Sequence, residues 1–119
     1  SSWEHAFMRL CDEHPNVYKW ASESIKIPYR HPFTGKHTIY VPDFFIVYND
    51  KNSKKHAEMV EVKPASQTTM EAAGKSMAKK KQVIINHAKW EAASAYAKQN
   101  MLKFRVVSEE DLFHNGKRK

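Results

Sequence analysis

An α/β sandwich, a mixed central sheet of about four strands with helices packed on its faces, is the fold class that this sequence predicts. Three observations lead there. The first residues place apolar side chains at helical spacing, the middle of the chain alternates them with the period of a strand, and Ala- and Lys-rich helical patterns precede one more short apolar run. Helix, three strands, helices, strand and a short closing helix is therefore the expected order.

In the opening helix, Ser1 or Ser2 is available as N-cap, and Trp3, Ala6, Phe7, Met8, Leu10 and Cys11 fall on one arc at about 100° per residue. Glu4 lies inside that arc, between Cys11 and Met8. A carboxylate on the buried side of a helix is costly unless it has a task, although near the N-terminus it also gains under about 1 kcal/mol from the helix dipole. Arg9, Asp12 and Glu13 lie on the solvent side. His14-Pro15-Asn16 ends the helix, because Pro cannot continue it and disfavours helical geometry in the residue before it.

Val17 to Ile27 reads as the first strand, with Trp20, Ile25 and Ile27 as anchors and Glu23 either facing solvent or approaching a site. Pro28 to Lys36 is a turn region, either a plain hairpin connection or, through Arg30, His31 and Lys36, a basic loop able to touch phosphates. In the second strand Ile39, Val41, Asp43, Phe45 and Val47 share one side and Tyr40, Phe44, Ile46 and Tyr48 the other, the pattern of an interior strand covered on both faces. The tip from Asn49 to His56 is a solvated turn whose Lys54 and Lys55 are available to nucleic acid. A third strand, Glu58 to Pro64, points Val60 and Val62 one way and Glu61 and Lys63 the other.

After the polar stretch Ala65 to Gln67, a helical pattern runs from about Thr68 to Ile85, with Met70, Ala73 and Met77 inward and Lys75, Lys79, Lys80 and Lys81 on the rest. Those lysines repel one another by a few tenths of a kcal/mol per pair, a cost that phosphates would remove. Asn86 is placed to cap a second helix from about His87 to Gln99, with Ala88, Ala92, Ala95 and Tyr96 inside and Lys89 and Lys98 outside. Asn100 suits a left-handed stop. Lys103 to Val107 is a short last strand, Ser108 to Asp111 the start of a closing helix, and Asn115 to Lys119 a loose basic tail.

A length of 119 residues suits one domain spanning 1–119 with one core. The excess of 20 Lys and Arg over 13 Asp and Glu, a net +7, suggests a polyanionic partner, though a merely soluble basic surface has the same composition. The lone Cys11 excludes an internal disulfide and a multi-cysteine zinc site, which fits a reducing, cytoplasmic compartment. No run approaches a membrane span and no signal-peptide pattern is present. The chain starts at Ser1 rather than Met, which leaves open what precedes it. Other chemistry finds little support: the His residues lack metal-ligand spacing, no Gly-rich phosphate loop occurs, Cys11 reads as a small buried hydrophobe, and Trp3, Trp20 and Trp90 read as packing.

The chemistry concentrates where the second and third strands meet. Asp43 is a carboxylate in an apolar row, and leaving it unpaired costs several kcal/mol or forces it to hold a proton, so it needs a cation beside it. Glu61 and Lys63, on one face of the next strand, bring a second hard oxygen donor and an ammonium. A structural ion pair is the bland alternative. Pro42-Asp43 followed by Glu61-Val62-Lys63 resembles the signature of the PD-(D/E)xK, restriction-endonuclease-like nucleases. Within them the chain looks most like the head-completion nucleases of tailed phages, and more distantly like the cleaving subunit of heteromeric transposases. The residues that carry this likeness are Ser2-Trp3-Glu4, Trp20 to Glu23, Ile27-Pro28-Tyr29, Asp43, Glu61 to Pro64, Asn86, Lys89 to Ala93, and Lys103-Phe104-Arg105.

The resemblance implies a restriction-endonuclease-like α/β/α core whose first helix delivers an acid, here Glu4. It implies a Mg²⁺-dependent DNA endonuclease, with Mn²⁺ as a substitute, in which Asp43, Glu61 and the Val62 carbonyl hold the ion. Glu4 would bind through water or hold a second ion, and Lys63 would steady the nucleophile or the phosphate. Duplex or branched DNA would lie along Arg30, Lys36, Lys54, Lys55, Lys75, Lys79, Lys80, Lys81, Asn86 and Lys89. A homodimer, or capsid or portal partners, would fit so small a chain, in the host cytoplasm or the virion. A transposase-subunit or Holliday-junction-type nuclease is the alternative among enzymes, and a non-catalytic DNA-binding or virion module is the rival from another class.

Overall fold

The computed structural model describes residues 2–111. Helix α1 (Ser2–Glu13) leads into β1 (Val17–Ser22), β2 (Ile27–Arg30), β3 (His37–Tyr40), β4 (Phe44–Asn49) and β5 (Lys55–Val62). A single 3₁₀ turn (Ala65–Gln67), the short α2 (Met70–Ala73) and the long α3 (Met77–Gln99) then cross to β6 (Lys103–Val107). The central sheet has the order β1-β4-β5-β6, antiparallel except for the parallel pair β5/β6, so it is mixed, as the sequence predicts. Helix α1 covers one face, where Phe7 and Cys11 pack on Phe44, Ile46, Val60, Val62 and Val107. The other face carries α3, whose Ala93 and Ala97 meet Met59 together with Ile27 and Tyr40. These are the two helical layers of an α/β/α sandwich, compatible with a restriction-endonuclease-like fold.

The expected first and second strands each break in two. The first breaks after Ser22, where Glu23 adopts φ 50°. The second breaks at Val41-Pro42-Asp43, where a proline without an N–H ends the ladder. The freed halves pair with each other, Ile27 opposite Tyr40 and Arg30 opposite His37, as a separate ribbon packed on α3. Of the expected turn from Pro28 to Lys36, only His31 to Lys36 is a turn.

The helical half also differs from the expected pattern. Residues 77–99 form one helix, and its N-cap is Ser76, whose hydroxyl accepts from the Lys79 N–H at 3.2 Å. The break falls earlier, at Gly74 with φ 64°, a conformation that costs glycine little. The fully buried residues are Val83, Asn86, Ala93 and Ala97; of the expected inner residues Ala92 and Tyr96 pack half-buried beside them, Ala88 is half-buried and Ala95 is exposed, because small residues surround this helix and define its face poorly. Met70 and Met77 are exposed, while Ala73 is buried as expected. Asn100 closes α3 through Nδ2 on the Tyr96 carbonyl at 2.8 Å, but the left-handed residue is Met101. Ser108 and Asp111 open a further turn by hydrogen bonding to each other. Ser1 and the basic tail from Asn115 lie outside the described residues.

Phe44 links the layers, 4.8 Å from the Phe7 ring and 6.0 Å from Trp20 between ring centroids. Trp20 is fixed in turn by its indole N–H on Asp12 at 2.7 Å, which gives that solvent-side acid a task. Phe44→Ala is expected to cost about 3–5 kcal/mol, measured by urea unfolding; a loss below about 1 kcal/mol would show that Phe44 is not the keystone of this layer. No helix among the described residues is long and apolar enough to cross a membrane.

Candidate active site

The break that shapes the site is the proline before β4. Phe44, opposite Val60, is the last paired residue of β4, so the ladder stops short of Asp43 and Pro42. Pro42 offers Val62 no continuation of the ladder, and the Asp43 side chain substitutes for it: Oδ2 accepts from the Val62 N–H at 2.8 Å. The Asp43 backbone is pinned on its other side, its carbonyl accepting from the Glu23 N–H at 3.0 Å.

Glu61 is 4% exposed, on the face of β5 opposite Val60 and Val62, as strand alternation requires. Its Oε1 accepts from the Tyr40 hydroxyl at 2.9 Å and the Asp43 N–H at 3.3 Å, and its Oε2 lies 3.5 Å from the Lys63 ammonium. Lys63 is anchored by its backbone N–H on the Val107 carbonyl at 2.9 Å, while its ammonium stays partly exposed. Burial, then the charge of Asp43, pushes Glu61 up to about 7. Burial also raises Asp43, with the charges of Glu4 and Glu23 adding to it and the Val62 N–H and Lys63 opposing it. Burial and the Glu61 charge push the Tyr40 phenol far above its ordinary value, so it remains a donor.

Helix α1 brings Glu4 close enough for its charge to act on Asp43. Among the described residues no three His, Cys, Asp or Glu side chains stand close enough to hold an ion by themselves. The adjacent pair is Asp43 and Glu61. Two adjacent hard carboxylates suit an ion that keeps several waters, as Mg²⁺ does, and the charge crowding on the pair is what a cation would relieve. The residues therefore fit a divalent ion.

Lys89, expected to point outward, instead leans from α3 over this site. Its ammonium lies 5.8 Å from the Tyr40 ring centroid, and burial followed by the charge of Lys63 lowers its pKa. A lysine stem can lie along apolar surface and deliver its charge at the end, which helical periodicity alone does not reveal. Asn86, expected to cap a helix and touch DNA, is fully buried in mid-helix. Its Nδ2 donates to the Gln67 carbonyl at 3.1 Å and its Oδ1 accepts from Gln82 at 2.9 Å, while His87 meets the Thr68 carbonyl at 2.7 Å. These bonds fasten α3, and with it Lys89, to the segment that follows Lys63. Tyr40 gave no signal in the sequence, because an alternating aromatic looks the same whether or not its hydroxyl meets an acid.

Of the expected DNA contacts, Arg30 and Lys36 are exposed on the β2–β3 ribbon. Lys75, Lys79 and Lys81 are exposed around the start of α3, with Lys80 half-buried. Lys54 and Lys55 are exposed too, but at the far end of β5, six strand residues or about 20 Å from Glu61. Lys55 covers the Tyr18 ring there, at 5.1 Å.

A cavity of about 370 Å³ lies beneath α1, lined in part by Leu10, Cys11, His14, Glu58 and Arg105. Its buried acid, Glu58, is matched by Arg105 Nε at 3.1 Å and by the Tyr48 hydroxyl, an arrangement that compensates charge and leaves no reactive group. Burial raises the Cys11 thiol to about 11, in keeping with a small hydrophobe.

Residues 14–109 match the family model described as TnsA-like endonuclease N terminal. The chain is 31% identical over 121 aligned residues to the head completion nuclease of Enterobacteria phage T4, an alignment that spans 94% of this chain and 78% of that protein. With its fold, its paired carboxylates and its lysine in place, the chain belongs to the TnsA-like, phage head-completion family of nucleases.

Proposed function

We propose that the protein is a Mg²⁺-dependent DNA endonuclease that processes DNA during phage head completion, with Asp43, Glu61 and Lys63 as its catalytic residues. The observation that carries this reading is the juxtaposition of the buried Glu61 carboxylate with the half-buried Asp43 and an ammonium 3.5 Å from Glu61. Asp43, Glu61 and the Val62 carbonyl would hold the ion, which when bound would lower the pKa of water and offset charge on phosphorus. Tyr40 and the Asp43 N–H fix the orientation of Glu61 before substrate arrives, so no reorganisation is needed at the moment of reaction. Lys63 presents positive charge to the phosphate oxygens, Lys89 adds a second ammonium, and Glu4 orients water on the outer side. The lysines around the start of α3 and the ribbon residues Arg30 and Lys36 bind the flanking backbone, giving affinity that falls steeply with salt. A second copy of the chain, or capsid or portal proteins, would extend this short DNA surface, in the host cytoplasm or the virion.

The test is nicking of plasmid and of branched DNA by purified protein. Cleavage is expected with Mg²⁺ and not with excess EDTA, and is expected to disappear in Asp43→Ala and Lys63→Ala. Cleavage that survives both substitutions would overturn the site, and DNA binding with no cleavage by the parent protein would favour a non-catalytic module.

A further inference from the structure

The β2–β3 ribbon has an outer face of which the reading above uses only Arg30. Residues directly opposite in an antiparallel pair share a face, so the register sorts the ribbon into two sides. Ile27, Tyr29, Thr38 and Tyr40 form one side, buried or half-buried toward α3. Pro28, Arg30, His37 and Ile39 form the other, and all four are exposed, Ile39 at 53%.

The chemistry of this outer side is specific. The apolar pair Pro28 and Ile39 lies nearer Asp43, and Arg30 lies farther out, 3.4 Å from His37. The turn adds Lys36 and an exposed Phe33, and Lys26 precedes the ribbon. No Asp or Glu occurs between Glu23 and Asp43, so the whole arm carries positive charge without a compensating acid. An apolar and cationic strip of this kind suits the edges and phosphates of a nucleic acid.

Position supplies the rest. Ile39 is four residues from Asp43 and His37 six, which limits their separations from it to about 14 Å and about 20 Å. A two-stranded ribbon fits the major groove of B-DNA, about 12 Å wide, and not the minor groove of about 6 Å. Resting on the nuclease reading, we infer that the ribbon enters the major groove of duplex DNA within about six base pairs of the scissile phosphate, its outer side toward the bases. Pro28 and Ile39 meet thymine methyl groups there, and Arg30 reaches guanine or the groove-edge phosphate. The substrate is thereby duplex on at least one side of the cut, and cleavage acquires a mild dependence on local sequence.

The experiment uses the full chain carrying Asp43→Asn, which keeps an oxygen on the Val62 N–H while removing cleavage. Its binding to a labelled duplex and to one of the separated strands is followed by fluorescence anisotropy, with and without Arg30→Ala/Ile39→Ala. Both side chains are exposed, so an unchanged melting temperature certifies the fold. Duplex affinity is expected to fall about tenfold or more with single-strand affinity within about twofold, and the major-groove dye methyl green is expected to compete where the minor-groove ligand netropsin does not. Unchanged duplex affinity, equal losses on both substrates, or competition by netropsin alone would overturn the inference, the first result leaving this face to a protein partner. A parent chain that binds through the ribbon but never cuts would sink the nuclease reading and spare the groove assignment.

Discussion

Glu61→Gln is expected to lower Mg²⁺-dependent cleavage by about a thousandfold or more and, without divalent ion, to make the protein more stable at pH 8. The two effects have one cause. Glu61 is 4% exposed beside a second acid, and burial with the Asp43 charge raises it from 4.5 to about 7. A raised folded-state pKa means that the stabilising contribution is complete below the unfolded value and is lost as pH rises through about 7. Ionised Glu61 therefore costs the metal-free fold on the order of 3 kcal/mol above that range. Gln keeps an oxygen for the Tyr40 hydroxyl and the Asp43 N–H but carries no charge, so it removes the cost, worth up to about 10 °C in melting temperature. A structural ion pair predicts the reverse, because Lys63 would lose a partner and stability would fall. Thermal melts of both proteins in EDTA at pH 5 and pH 8, with parallel nicking assays, separate the two readings. Lower stability of Glu61→Gln at pH 8 would mean that the acid is there to hold the fold together.

The second expectation concerns the ion. On the proposed reading Mg²⁺ would bind the ionised pair, so below about pH 7 it would have to compete with protons for Glu61, and for Asp43, which is also raised. At pH 8 that competition would be gone and the ion would also offset the repulsion between the two acids. Saturating Mg²⁺, at about a hundred times its dissociation constant, is expected to raise stability by about 3 kcal/mol at pH 8 and by little at pH 5. Differential scanning calorimetry across that pH range checks it, with Asp43→Asn as the comparison that should lose most of the gain. A Mg²⁺ response of equal size at both pH values, or one that persists in Asp43→Asn, would place the ion elsewhere.

The sequence made some of this legible for identifiable reasons. Strand alternation alone puts Glu61 and Lys63 together and away from Val60 and Val62, and the helical arc of α1 puts Glu4 on the buried side. The interruptions were harder to see. Pro42 marks the end of a ladder, but a reading that follows alternation from Ile39 to Tyr48 passes over it, while the left-handed Glu23 carries no glycine to announce itself. In the helical half the true punctuation, Thr69, Gly74 and Ser76, was present, and Asn86 outweighed it because asparagine caps helices so often. Its amide instead satisfies a loop carbonyl inside the core, which no local pattern encodes. Lys89 escapes helical periodicity for a related reason: its long stem, and not its position on the helix, decides where the charge ends.

The Val62 amide is hydrogen-bonded to a side-chain oxygen where a strand neighbour's carbonyl would ordinarily sit. Its proton resonance is accordingly a native spectroscopic tag on the Asp43 carboxylate. Protonation, loading with a diamagnetic ion, or arrival of a phosphate each changes that oxygen's electron density, so one cross-peak in a heteronuclear NMR titration follows occupancy without any introduced label.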